Sequence, residues 1–255
     1  EEVHKEYVVG IHPLHNPKRL VEVYGPIVDH LSASIPNVKF RMEASRNYEE
    51  FDKKLFGGHF DFAMPNPYQT VRSLEHGYRV FGKMGDDELF RGIILVRRDS
   101  GIEKVSDLKG KKLSYPAPSA LAATMMSQYY LHTHGLDVNR DIENLYVGSQ
   151  ESSILNVLRG HVAAGPTWPV PWNTFQLEHP ELASQLEVKW QTETLPNNGW
   201  VVRKDVPHST GTSLLAMVAA RSARRRSAVE ISSPSRKWVV SSSSVSAICS
   251  MLPLP

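Results

Sequence analysis

The sequence is almost devoid of cysteine, with one residue, Cys249, among 255. The first 207 residues therefore hold no thiol that could act as a nucleophile or form a disulfide. No apolar run approaches the roughly 18 residues that a membrane-spanning helix needs. A phosphate-binding glycine loop, a dinucleotide fingerprint and a Gly-x-Ser-x-Gly nucleophile elbow are also missing. These absences argue against the enzyme classes that depend on such motifs.

Charge is distributed unevenly along the chain. Residues from His208 onward hold six basic side chains and one acidic one, so with a total of +2 the preceding 207 residues carry a net −3. A mildly acidic body argues against a nucleic-acid partner. The segment 208–255 is rich in serine and arginine and includes the run Ser241 to Ser244. Because such sequence buries little apolar surface, we expect little native-like packing in this atypical tail.

Strand and helix patterns alternate through the first 200 residues. Asn16 and Pro17 open the first helix as N-cap and first helical residue, and Asn47 with Glu50 forms a capping box for the second. This rhythm predicts an α/β protein with two mostly parallel sheets flanked by helices. The predicted strands cover residues 7–11, 38–42, 60–64, 78–83, 92–96, 111–115, 145–147, 161–164 and 186–190, with a return crossing at 200–203.

The segment after the strand 111–115 predicts an anion-binding pocket. The strand ends at a proline-rich elbow, and Ser119 is expected to open a helix that runs to His134. The first amides of a helix have no intrahelical acceptor, so they attract negative groups. We therefore expect the Ser119 hydroxyl and the amides of Ala120 and Leu121 to hold a small anion. The alternative for Ser119 is a plain helix N-cap.

Other candidates lie where open α/β sheets bind ligands, at the carboxyl ends of strands. His12 ends the first strand, and its alternative is a histidine bonded within a loop. Trp168 follows the strand 161–164 and could close over a ligand, or it could pack between elements. Arg91 lies at the first predicted crossing between lobes, where its guanidinium would pair with a dianion. The alternative for Arg91 is a solvated side chain.

The histidines predict no metal centre. His12 and His15 are three residues apart and His132 and His134 two apart, but neither pair has a third ligand at zinc-like spacing. No nucleophile has a recognisable base beside it. We therefore expect no metal, no cofactor and no catalytic residue.

Several motifs share the order and spacing of a known family. They are residues 10–13, 24–31, 58–63, 107–111, 148–154 and 157–165, which read GIHP, YGPIVDHL, GHFDFA, DLKGK, GSQESSI and VLRGHVAAG. Over roughly residues 5–205 the chain resembles periplasmic solute-binding proteins of the phosphate, phosphite and phosphonate ABC transporters. The resemblance implies the type II periplasmic-binding-protein fold, with two lobes and a ligand cleft between them that closes about a hinge. Lobe 1 would hold residues 1–92 and 200–255, and lobe 2 residues 93–199.

The resemblance also implies further ligand contacts. Tyr68 matches an aromatic of the first lobe that faces the ligand, Gln150 falls where the family often has histidine, and Asn198 falls at a polar contact. The family usually carries Ser-Thr-Ser at the anion-binding helix, where this chain has Ser119, Ala120 and Leu121. Two hydroxyls are therefore missing, and Thr124, one turn later, could compensate in part.

The implied function is an extracytoplasmic solute-binding protein that captures a small oxyanion of the phosphonate, phosphite or phosphate type for an ABC importer. Its partners would be the anion and the transporter permease. We expect a monomer in the periplasm or another extracytoplasmic space, with the signal segment absent from this chain. A sensor domain of the same fold and a binding protein for sulfonate or another organic anion are alternatives. An enzyme on this fold would need a reactive cysteine or a metal cluster.

Overall fold

The computed structural model describes residues 5–207, residue 210 and the backbone of residues 238–239. No helix among these residues has both the length and the apolar character needed to span a membrane. The strands are β1 (Lys5–Ile11), β2 (Val38–Ala44), β3 (Phe62–Met64), β4 (Tyr78–Met84), β5 (Ile93–Arg97), β6 (Lys112–Tyr115), β7 (Glu143–Tyr146), β8 (Gly165–Thr167), β9 (Leu186–Gln191), β10 (Gly199–Arg203) and β11 (Trp238–Val239). The helices are α1 (Pro17–Ser34), α2 (Tyr48–Phe56), α3 (Pro67–Glu75), α4 (Ser127–Thr133), α5 (Gln150–Leu158), α6 (Pro169–Glu178) and α7 (Pro180–Ala183).

The chain forms two compact units. Unit 1 takes the chain up to Pro13, the segment Pro17–Asp87 and the chain from Pro196 onward, and unit 2 takes Leu14–Asn16 and Glu88–Leu195. The lobe boundaries expected from sequence, after residues 92 and 199, lie a few residues beyond these limits. Residues after Pro196 group with unit 1 because β10 pairs with β3 and β4, and the Asn197 amide donates to the Asp87 carboxylate at 2.9 Å.

Unit 1 is built on a mixed sheet with the strand order β11-β4-β10-β3-β1-β2. β1 pairs in parallel with β2 and β3, whereas β10 is antiparallel to both β3 and β4. Its helices start where the sequence places them: α1 begins at Pro17, and Asn47 caps α2 by accepting from the Glu50 amide. The Glu50 carboxylate accepts instead from the Arg46 amide, so only half of the predicted capping box forms. A complete one occurs at α3, between Asn66 and Gln69.

Unit 2 carries an antiparallel ladder, β8-β5-β9, and a parallel pair, β6-β7. A parallel bridge between Leu113 and Ala164 places β6 beside the chain that enters β8. Ile94 and Val96 of β5 lie in one hydrophobic cluster, and Ile93 and Leu95 lie in another. Successive side chains of a strand point to opposite faces, so the sheet of unit 2 is covered on both faces.

The α/β fold class agrees with the sequence, but the sheets contain more antiparallel pairs than predicted. β10 has four buried residues in a row, and so has β5. Continuous apolar runs of this kind are typical of parallel strands covered on both faces, so the pattern does not reveal strand direction. The eighth strand also forms later than predicted, at Gly165–Thr167, because residues 161–163 form bends. The expectations for 208–255 concern the tail, which lies outside the described residues except residue 210 and the backbone of 238–239.

Gly165 allows β8 to approach α5 closely. A β-carbon built there would overlap Val157 Cγ2 and lie 2.7 Å from the carbonyl oxygen of Ser153. We expect Gly165→Ala to lower the free energy of unfolding by about 1–3 kcal/mol, because overpacking forces backbone shifts. Chemical denaturation followed by circular dichroism measures this change.

Gly25→Ala is the matched control. A β-carbon at this position in α1 would meet Val21 Cγ1 at an ordinary 3.7 Å. Pro26 follows and disfavours a β-carbon on the helical residue before it, so we expect a loss of about 1 kcal/mol or less, smaller than at Gly165. Equal effects of the two substitutions would contradict the close contact at Gly165.

Candidate functional site

The carboxyl ends of three strands of unit 2 meet at one edge of its sheet. β6 is parallel to β7 and, through the bridge at Ala164, to the chain entering β8. Backbone pairing continues past the strand ends, since the Val147 amide donates to Tyr115 O and the Gly148 amide to Pro116 O, both at 2.8 Å. A helical segment follows each strand. We call residues 116–121, 148–150 and 167–169 the carboxyl edge of unit 2.

The first of these helical segments begins two residues later than predicted. A π-helical turn spans Leu121–Met126 and leads into α4, with Ala120 as its N-cap. Ser119 is not the cap. The Ala120 amide donates to Ala117 O, which closes a turn with Pro118 and Ser119 at its two central positions. Proline favours the first central position of such turns, so the Ala-Pro-Ser-Ala sequence forms a turn before the helix can start.

The predicted amide donors change in part. The Ala120 amide donates to Ala117 O and is not a candidate, whereas the amides of the π-helical turn, Leu121 included, are candidate anion donors. The first helical bond runs from the Thr124 amide to Ala120 O at 2.8 Å. The amides of Leu121, Ala122 and Ala123 precede that bond and therefore lie in the first turn, where amides have no intrahelical acceptor. Backbone amides are present whatever the side chains are. They therefore supply hydrogen-bond donors where Ala120 and Leu121 lack hydroxyls.

Thr124 has a different role from the predicted one in this structure. Its side chain is buried, and its hydroxyl donates to Ala117 O at 2.7 Å. A threonine hydroxyl has one proton, so Thr124 cannot donate to a ligand while it holds this carbonyl. The bond instead joins the start of the helix to the Pro118 turn. Direct ligand contact by Thr124 stays a prediction without support from this geometry.

Arg91 lies next to a point where the backbone at Gly92 contacts the backbone at Ala122. A β-carbon built on the next residue, Gly92, would overlap Ala122 O and lie 2.6 Å from Ser127 Oγ. The chain at 91–92 therefore touches the first turn of the π-helical segment. Arg91 is half-buried, and its Nε atom is buried with no hydrogen-bond partner in the part of the chain that the structure describes. A buried donor of this kind is stabilised when an anion accepts from it.

Gln150 opens α5 and is buried at the carboxyl edge. Ser149 caps this helix by accepting from the Ser152 amide. The hydroxyl of Thr167, at the end of β8, donates to Gln150 Oε1 at 2.8 Å. One turn further on, Ser153 Oγ lies 2.6 Å from Ser114 O and 3.0 Å from Pro166 O. The first turn of α5 is therefore anchored to both β6 and β8.

Trp168 is the N-cap residue of α6, and it is buried. Its ring packs on Phe90, with a distance of 5.5 Å between ring centroids. Two of the first three residues of α6 are Pro169 and Pro171, which have no amide proton. This helix start therefore offers few donors. The packing alternative for Trp168 is observed, and its contact with a ligand stays a prediction.

Three predicted residues, His12, Tyr68 and Asn198, belong to unit 1. Tyr68 is the second residue of α3 and is half-buried. Asn198 is fully buried, its Nδ2 lies 3.8 Å from Met84 Sδ, and its Oδ1 has no partner among the described residues. Their ligand contacts stay predictions.

His12 is buried at the end of β1. Its Nδ1 lies 2.9 Å from Met64 O, so Nδ1 carries the proton and donates to this carbonyl. Burial lowers the pKa of His12 to about 4, and the bond to Met64 opposes this shift only in part. The ring is therefore neutral at pH 7, with Nε2 as an acceptor. Contact between His12 and an anion stays a prediction, but this ring supplies no positive charge.

The structure thus gathers Ser119, Ala120, Leu121, Thr124, Gln150 and Trp168 at one edge of unit 2, with Arg91 next to the helix start. Sequence reasoning missed Thr167 and Ser153. Thr167 lies three residues after the predicted strand 161–164 and directly before Trp168, which was a signal for the first of these. Within the described residues, no group of three or more His, Cys, Asp or Glu side chains is arranged to bind a metal.

Several solved structures share this fold with the chain. The chain is similar to the binding-protein component of an ABC phosphonate transporter from Pseudomonas aeruginosa, with a TM-score of 0.77, 16% identity, and 85% of this chain and 74% of that chain covered. A Prochlorococcus marinus protein in complex with methylphosphonate gives a TM-score of 0.76 at 16% identity, covering 84% of each chain. An alkanesulfonate-binding protein from Xanthomonas axonopodis pv. citri bound to MOPS gives 0.66 at 16% identity, covering 98% of this chain and 80% of that one.

The family follows from the sequence match. Residues 9–228 match the family described as the periplasmic substrate-binding protein of the phosphonate ABC transporter. The chain belongs to this family of transporter substrate-binding proteins, which are not enzymes. The resemblance, the fold class and the general function inferred from the sequence are confirmed.

The neutral, buried His12 makes stability depend on pH. In the unfolded chain a histidine binds its proton near pH 6.5, whereas folded His12 does so only near pH 4. The unfolded state therefore binds more protons in this window, and the free energy of unfolding falls as the pH falls from 6.5 to 4. The shift corresponds to a loss of roughly 3 kcal/mol.

Urea denaturation at several pH values between 4 and 7 measures this loss in the wild type and in His12→Gln. The variant should lose less stability on acidification. His132→Gln is the control, because His132 is exposed on α4. Equal pH dependence in the wild type and His12→Gln would show that His12 is not held neutral by the fold.

Proposed function

We propose that this protein binds a small phosphorus oxyanion and delivers it to an ABC transporter permease. The anion would accept hydrogen bonds from the amides of residues 121–123, with Arg91 balancing its charge. Gln150 would add a side-chain donor. The protein would act as a monomer in the periplasm or another extracytoplasmic space.

One observation carries this proposal: the carboxyl edge of unit 2 presents the starts of the π-helical segment and of α5 side by side. Each helix start has amides without intrahelical acceptors and the positive end of the helix dipole. Together they favour a ligand whose oxygen atoms bear negative charge. The buried, unpartnered Nε of Arg91 lies next to the first of these starts. The family match supports a phosphorus anion in particular.

A sulfonate is the second candidate. Ala120 and Leu121 lack the hydroxyls that the family usually offers to a phosphoryl group, and amides alone do not distinguish a phosphonate from a sulfonate of similar shape. The fold is shared with an alkanesulfonate-binding protein. Tyr68, Asn198 and Trp168 stay as predicted contacts for the ligand's substituent.

Isothermal titration calorimetry with methylphosphonate, phosphite, phosphate, sulfate and taurine separates the candidates. We expect the strongest binding for one of the three phosphorus anions. Binding of taurine with no response to any phosphorus anion would favour the sulfonate candidate and contradict our proposal.

Replacement of Arg91 tests the charge-balancing role. We expect Arg91→Ala to weaken binding of the preferred phosphorus anion about tenfold or more, because a charge-assisted hydrogen bond is lost. Calorimetry gives the dissociation constants. Arg159→Ala is the matched control, since Arg159 is exposed at the C-terminal end of α5. If both variants bind like the wild type, Arg91 does not contact the anion.

A further inference from the structure

We propose that Ser127 is a positioning residue: its buried hydroxyl holds the peptide group between Ala122 and Ala123, so that the Ala123 amide donates to the bound oxyanion. This inference rests on the proposed function. It goes further because it selects one amide of the first helical turn as a ligand donor. It also gives a role to a side chain outside the predicted contacts.

The peptide group between Ala122 and Ala123 has two ends that point in opposite directions. A trans peptide is planar, with its C=O and N–H antiparallel, so a contact that fixes the carbonyl also fixes the direction of the amide. In a helix the carbonyls point toward the C-terminal end and the amides toward the start. Ala122 O therefore points toward α4, and the Ala123 N–H points toward the helix start, where the anion is proposed to bind.

Ser127 binds the carbonyl end of this peptide group. Its side chain is fully buried, and its hydroxyl donates to Ala122 O at 3.2 Å. Ser127 is five residues after Ala122, which is the hydrogen-bond spacing of a π-helix. The Ser127 amide donates to Thr124 O instead, so the hydroxyl is the group of Ser127 that holds Ala122 O. A hydrogen bond to the carbonyl also polarises the peptide group and strengthens its amide as a donor.

The backbone at Gly92 confines the same carbonyl. A β-carbon built on Gly92 would overlap Ala122 O and lie 2.6 Å from Ser127 Oγ, so the three groups pack against one another. Gly92 is itself fixed, because its amide donates to Thr192 Oγ1 and its carbonyl accepts from the Thr192 amide, both at 2.9 Å. Ala122 O is therefore held by a buried hydroxyl and by an anchored stretch of backbone.

The Ala123 amide is left for an acceptor outside the helix. It precedes the first helical bond, which runs from the Thr124 amide to Ala120 O. Among the described residues it makes no backbone hydrogen bond to a group outside the helical segment. Next to Gly92, the buried Nε of Arg91 is a second donor without a partner in this part of the chain. An oxyanion has several acceptor oxygens and can accept from donors of both kinds.

Ser127→Ala tests this inference. The variant is titrated with whichever of methylphosphonate, phosphite and phosphate binds the wild type most tightly. Alanine is a good helix former and removes only the hydroxyl. We expect the dissociation constant measured by calorimetry to rise about fivefold to tenfold, because the Ala123 amide is no longer held toward the anion. Thermal melts establish that the variant is folded.

The amide resonance of Ala123 in ¹H–¹⁵N spectra reports the proposed contact directly. A proton donated to an anion is deshielded, so the wild-type signal should move downfield when the anion is added to saturation. In Ser127→Ala the movement should be clearly smaller. A role of Ser127 in stability alone would leave this movement unchanged in the folded, saturated protein.

Thr174→Val is the matched control. The Thr174 hydroxyl donates to Val170 O at 3.1 Å, in the first turn of α6. The peptide group after Val170 ends at Pro171, which has no N–H. This bond is of the same kind as that of Ser127, but it orients no donor. Thr174→Val should therefore bind the anion like the wild type and show the same movement of the Ala123 signal.

The outcomes separate the two proposals. Wild-type protein that binds none of the three phosphorus anions contradicts the proposed function and this inference with it. Wild-type binding without a downfield movement of the Ala123 signal overturns the inference alone, and this measurement needs no variant. Unchanged affinity or an unchanged movement in Ser127→Ala also overturns it. So does an equal loss of affinity in Thr174→Val, which would mark a general effect of removing a helix hydroxyl.

Discussion

The position of α5 depends on the hydroxyl of Ser153, which lies within hydrogen-bond distance of carbonyl oxygens in both β6 and β8. This side chain is fully buried, and a buried hydroxyl without partners costs about 1–3 kcal/mol. Its single proton lies within reach of both strands, so this hydroxyl holds the first turn of α5 against β6 and β8. Gly165 makes the approach possible because it has no side chain. Gln150 opens this helix, and its side-chain oxygen accepts from Thr167 on β8.

At the carboxyl edge of unit 2, backbone carbonyls are hydrogen-bonded within the protein, whereas backbone amides remain as donors. The carbonyls of residues 116 and 117 are used by the protein, whereas the amides of Leu121, Ala122 and Ala123 precede the first hydrogen bond of their own helix. A protein that binds an anion without reacting with it needs such a surface. It attracts a charged ligand through backbone dipoles and does not depend on a reactive side chain. This explains how a member of the family can lack two of the usual hydroxyls and still present donors.

The helix start illustrates how far local patterns reach. Pro17 and Asn47 begin their helices as expected because the signals for both are short-range. Ser119 has the same chemistry as a good N-cap but lies in a turn, since the proline before it favours a turn at that point. Thr124 is a comparable case, because a hydroxyl one turn into a helix can face a ligand or a carbonyl. In the structure the Thr124 hydroxyl donates to Ala117 O, and the position of this carbonyl depends on the fold.

The sequence by itself determined the α/β class, the family and most helices and strands, because these depend on hydrophobic periodicity, capping residues and motif spacing. It also located the carboxyl ends of the strands as the region of interest. Only the tertiary structure decided that β10 and β5 run antiparallel to their neighbours, that His12 is buried and neutral, and that Thr167 holds Gln150. Strand direction, burial and hydrogen-bond partners depend on residues far apart in the chain, and a local pattern carries no record of them.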